Sequence, residues 1–120
     1  MALSAPAELF HLAARTEWMA AAAVGEYRIS TRGVTLAEQG FIHCSLRHQV
    51  RGVADRYYAD AEDLVLLIID SARVASPVRY EAPADGAEEY PHIYGPLPAS
   101  AVTSVMPVRR DAAGRFILPD

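Results

Sequence analysis

The longest apolar run in the chain is DLVLLIID, Asp63 to Asp70. An unbroken series of branched aliphatics leaves no polar face, so it predicts a central strand buried on both sides. ELFHLAA (Glu8 to Ala14) predicts a first strand and VRYE (Val78 to Glu81) another. TEWMAAAAVG predicts a short helix, with Thr16 as its cap, alanines to propagate it and Gly25 as a left-handed stop. EYRIS (Glu26 to Ser30) alternates as a strand does, and TLAEQG places Thr35 and Glu38 at capping-box spacing before Gly40.

FIHCS (Phe41 to Ser45) then predicts a five-residue strand, with Ser45 placed to cap the helix LRHQVRGVADRYY. In that helix Leu46, Val50, Val53, Ala54 and Tyr57 recur at helical spacing and are expected to face the core. APADGAEEYP is a turn-rich acidic loop. AVTSVMPV and RFIL, around the turn RDAAG, predict a terminal β region in which Pro107 marks an edge or a bulge. The first residues, MALSAP, read as a loose terminus, and no repeat or linker divides the rest. The pattern predicts one α+β domain over residues 1–120, with an ordered core over about 8–119. Its sheet is mixed and mostly antiparallel, with short helices.

Composition narrows the functional classes. With 15 acidic residues against 11 basic ones the net charge is −4, which argues against bulk nucleic-acid binding. All the basic residues are arginine, so Schiff-base chemistry on lysine is excluded. The single Cys44 excludes an internal disulfide and fits a reducing cytoplasm. No apolar run has the length of a membrane span, and the start lacks the pattern of a signal peptide.

The chemistry-bearing residues stand inside apolar strands. If Phe10 and Leu12 face one side of their strand, His11 faces the other, either hydrogen-bonded to a neighbouring strand or open to a ligand. In GFIHCS the same alternation puts Ile42 and Cys44 in the core and Phe41, His43 and Ser45 on the other face, with His43 and Ser45 at a cleft. Ser45 is a helix cap, or the start of an anion seat on free backbone N–H groups. In YPHIYGP, His92 and Tyr94 share a face while Ile93 packs, and Glu81 ends its strand as a candidate acid. Zinc accepts three histidines, so His11, His43 and His92 offer a conceivable site, but no local metal spacing supports it. The sequence contains no G-x-S-x-G elbow, P-loop or G-x-G-x-x-G.

The pieces FHLA, Trp18, Gly25 to Tyr27, GFIHCS, Gln49-Val50, DLVLLIID, VRYE, YPHIYGPL and RFILP together resemble a family of small bacterial and plant proteins, domain of unknown function 952. The resemblance runs from about Leu9 to Pro119 and departs from the family pattern at Tyr90, where phenylalanine is usual. It implies a fold similar to that of ADP-ribosyltransferases, which cleave NAD in a cleft between two small sheets. His11 then matches a histidine that holds the nicotinamide ribose in one branch. GFIHCS looks like the second motif of the RNA 2′-phosphotransferase branch, with His43 as its histidine. Glu81 matches the catalytic glutamate by position only, and the arginine set of that branch is not recognisable. The expectation is an NAD-like or ADP-ribose-like small ligand, with His43, Glu81 and His92 as candidate catalytic residues and His11, Ser45 and Tyr94 as ligand contacts. No metal cofactor is expected. A non-catalytic binding module and a histidine-metal hydrolase are the alternatives.

Overall fold

The computed structural model describes residues 8–119; MALSAP lies outside them. Strand β1 (Glu8–Ala14) leads directly into helix α1 (Arg15–Val24). β2 (Glu26–Tyr27), β3 (Ile29–Thr31), β4 (Val34–Thr35), the single turn α2 (Leu36–Gln39) and β5 (Ile42–His43) follow in short steps. A 3-10 turn at Arg47–Gln49 opens α3 (Val50–Tyr57), and β6 (Leu64–Asp70), β7 (Val78–Glu81) and β8 (Tyr90–Ile93) come next. β9 (Leu97–Pro98), β10 (Val102–Pro107), β11 (Arg109–Arg110) and β12 (Phe116–Ile117) complete an α+β chain.

Two three-stranded antiparallel sheets organise these elements. In the first, β6 lies between β1 and β10, so the most apolar segment is central and covered on both faces. Phe10, Leu12, Leu64 and Leu66 pack on one side with Val50, Val53 and Ala54 of α3. Leu9, Ala13, Val65, Leu67 and Ile69 pack on the other with Tyr27, Ile42 and Ile93. Ile42 and Ile93 belong to the second sheet, β5-β8-β7, so that sheet stacks on the first through its inner face. Pro107 ends the edge strand β10, whose register shifts between Val102 and Ser104.

Several local expectations need correction. α1 begins at Arg15 and has no side-chain cap, so Thr16 does not cap it. The Arg15 N–H instead donates to the Asp63 carbonyl at 2.9 Å, and its guanidinium forks onto the Asp63 carboxylate at 2.8 and 2.9 Å. EYRIS divides at Arg28, because Glu26–Tyr27 pairs with β9 whereas Ile29–Thr31 pairs with β4. FIHCS is a strand only at Ile42–His43, followed by an isolated bridge from Ser45 to Phe10. Ser45 caps no helix. Gln49 does that work, its Oε1 accepting from the Leu46 N–H at 2.9 Å. Tyr57 is 54% exposed, and Tyr58, at 4%, takes its expected place in the core. The capping box at Thr35 and Glu38 forms as its spacing predicts, and Gly25 and Gly40 both adopt left-handed stops.

Candidate functional site

The outer face of the second sheet follows from its period of two. Register pairs Ile42 with Ile93 and Val78 with Ile93, which turns the aliphatics inward to the core. The same register pairs His43 with His92, Arg79 with His92 and Glu81 with Tyr90, so these side chains share the opposite face. That face is one wall of a cleft of about 510 Å³, whose lining includes Phe41, His43, Glu81, Tyr90 and His92. The end of α3 closes it with Arg56 and Tyr57. A volume of this size suits a nucleotide-sized ligand.

Glu81 is the hub of the polar network. Its Oε1 accepts from the Tyr94 hydroxyl at 2.6 Å and from His92 Nδ1 at 2.7 Å. Those two bonds, the tyrosine's first, hold the carboxyl below its ordinary range and so keep it ionised, while the same contact pushes the Tyr94 phenol up. With Nδ1–H committed to a carboxylate, Nε2 is the imidazole nitrogen left for another partner. His92 is among the residues that line the cleft. The ring is fixed by stacking on Phe41, centroids 3.9 Å apart and planes within 13°. The Tyr94 N–H donates to the Pro77 carbonyl at 2.8 Å. Gly95 is required beside it, because a Cβ there would stand 2.1 Å from Ser76 Oγ.

His43 stands 5.3 Å from His92 and 5.2 Å from Tyr90, centroid to centroid. Burial first, then the neighbouring His92, pulls its pKa down to about 4, so at neutral pH the ring is uncharged. The cleft thus places a neutral imidazole beside a carboxylate–imidazole dyad, an arrangement suited to moving a proton.

His11 belongs elsewhere. It is 3% exposed on the inner face of β1 and does not line the cleft. A carbonyl can only accept, so Nδ1 carries the proton it donates to the His43 carbonyl at 2.6 Å. Nε2 then accepts from the Tyr27 hydroxyl at 2.9 Å. Both nitrogens are used within the core, and His11 touches the site only through the backbone of His43. Ser45 is also buried outside the lining, exchanging backbone hydrogen bonds with Phe10 at 2.7 and 2.8 Å. Cys44 is 1% exposed and burial pushes its thiol up, away from nucleophile character. Among the described residues no group of three or more His, Cys, Asp or Glu is placed to hold a metal ion, and the three-histidine arrangement fails because His11 faces the core.

The structure therefore brings His43, Glu81 and His92 together, places Tyr94 behind Glu81 and outside the lining, and leaves His11 and Ser45 out. Phe41 and Tyr90 share the alternation of His43 and His92 and were findable by it. Arg56 and Tyr57 arrive from α3 and carry no local signal.

Residues 12–105 match the family described as protein of unknown function, DUF952. The chain belongs to this family. Among solved structures it is similar to CC0527 from Caulobacter crescentus. That protein's crystal structure superposes with a TM-score of 0.78 at 29% identity, covering 92% of this chain and 93% of that one. A double mutant of CC0527 gives the same values. Its solution structure gives a TM-score of 0.74 at 29% identity, covering 92% of this chain and 91% of that one. No curated protein matches.

Proposed function

We propose that the cleft binds an ADP-ribosyl compound such as NAD and transfers or hydrolyses it at the anomeric carbon. The observation that carries this reading is the Glu81–His92 dyad on the cleft wall, with Tyr94 holding the carboxylate in place. An oxocarbenium-like transition state needs a negative charge near the anomeric carbon and a group to take a proton from the attacking hydroxyl. In hydrolysis of NAD the bond from the anomeric carbon to nitrogen breaks, and its electron pair neutralises the nicotinamide ring. Water forms the new carbon–oxygen bond, and its proton passes to His92 Nε2. The ionised Glu81 stabilises first the ribosyl cation and then the imidazolium. His43, uncharged, offers a hydrogen bond to the ribose, and the resemblance of GFIHCS to a motif of the phosphotransferase branch supports that role.

A non-catalytic binding module is the second reading. It is favoured by the convergence of Tyr94 and His92 on one carboxylate oxygen, which rigidifies the wall whether or not a proton moves. Nicotinamide release from NAD separates the two. The enzyme reading expects turnover that Glu81→Gln lowers by about a hundredfold or more, with the dissociation constant nearly unchanged. Saturable NAD binding with no turnover supports the module. Absence of binding to both NAD and ADP-ribose overturns both.

A further inference from the structure

The two charges of the cleft are held by different elements. Glu81, on the sheet, is kept ionised by Tyr94 and His92 and stands opposite Tyr90 in the register. His43, uncharged, lies beside His92 and Tyr90. From α3 the Arg56 guanidinium lies over the Tyr57 ring, its carbon 5.8 Å from the centroid. Arg15, Arg28, Arg32, Arg47 and Arg73 each pair with a carboxylate. Among the described residues no carboxylate pairs with Arg56, whose polar neighbours are the Tyr57 and Tyr90 hydroxyls. Arg79, on the outer face of the same sheet, spends its charge over Tyr94 and beside Glu81 and does not line the cleft. An arginine that lines a cavity, is flanked by two phenols and has no acidic partner among the described residues offers a fork that matches phosphate oxygens.

We infer that the cleft binds its ligand in one direction, a phosphate or pyrophosphate group at Arg56 and the electron-poor ribosyl end at Glu81. The inference rests on the ADP-ribosyl reading for the identity of the ribosyl end; the anion seat stands on Arg56 alone. Tyr57 and Tyr90 supply flat faces and hydroxyls around the phosphate, and the reacting carbon is thereby carried to the dyad rather than away from it. Arg56 is exposed in the last turn of α3, so replacing it leaves the core intact.

Calorimetric titrations of wild type and Arg56→Gln with inorganic pyrophosphate, ADP-ribose and nicotinamide riboside test this. The expected result is a loss of about ten- to a hundredfold in affinity for pyrophosphate and ADP-ribose, with nicotinamide riboside unaffected. Arg56→Lys should restore part of the loss, and added salt should weaken wild type more than Arg56→Gln. Pyrophosphate binding that depends on Arg56, without binding of ADP-ribose or nicotinamide riboside, upholds the anion seat and removes the ADP-ribosyl reading. Equal affinities of wild type and Arg56→Gln for ADP-ribose overturn the inference and leave that reading intact. No binding of any of the three overturns both.

Discussion

The two sheets have the same strand number and the same antiparallel pairing, but their central strands are opposites in composition. β6 is aliphatic on both faces because the sheet is covered on both faces. β8 is aliphatic on one face only, and its other face carries Tyr90 and His92 into a cleft. The histidines sharpen the contrast. His11 sits on the first sheet, where burial demands a partner for each ring nitrogen, and both are supplied from the protein. His92 sits on the second, where one nitrogen is committed to Glu81 and the residue lines the cleft. The two strand histidines therefore differ in their partners and in the surface they face, and burial alone does not distinguish them.

Substitutions sort the two sheets by stability against ligand response. Leu67→Ala, in the fully buried centre of β6, should cost about 2–5 kcal/mol in urea denaturation, through lost transfer energy and a residual cavity. His92→Ala, at the cleft, should cost much less on the same measurement. Equal costs would show that the second sheet is as tightly packed on its outer face as the first.

The pH dependence comes next in size. Burial lowers the His11 pKa to about 4 from the 6.5 of an unfolded chain. The unfolded state therefore binds more protons between these values, and stability falls as pH drops through that window while staying complete above it. The contribution amounts to about 3 kcal/mol for a group so fully buried. His43, lowered to about 4 as well, acts in the same direction over the same window. Thermal melts from pH 7 to pH 4 should show a decline that becomes shallower in His11→Asn; an unchanged slope would remove His11 from the account.

Much of this architecture was legible because it is local. The spans of β1 and β7, the central place of β6, and the capping box at Thr35 and Glu38 each depend on a few consecutive residues. The inward turn of Ile42 and Cys44 likewise follows from alternation alone. Expectations failed where a distant segment supplied the partner. Asp63 replaces Thr16 at the start of α1, and β9 draws Glu26–Tyr27 away from the rest of EYRIS. The wall built by Arg56 and Tyr57 was hidden for the same reason, as was the use of both His11 nitrogens by residues 16 and 32 positions away. The replacement of Ser45 by Gln49 before α3 is instead a local bond, three residues from Leu46.

Smaller effects probe the supports. Gly95→Ala places a methyl against Ser76, and an overpacking cost of about 1–3 kcal/mol is expected, partly relieved by Ser76→Gly in the same chain. Tyr27→Phe leaves His11 Nε2 without its donor and should cost about 1 kcal/mol in chemical denaturation, with little change in ligand affinity. A large affinity loss would tie the buried pair to the cleft more closely than its geometry does.

The most direct measurement follows the imidazole resonances of the four histidines as ADP-ribose is added to the whole protein. The account predicts saturable shifts of His43 and His92 together, with His11 still and the exposed His48, paired with Glu88, as the surface reference. Shifts confined to His11 or His48, or none at all, would contradict it.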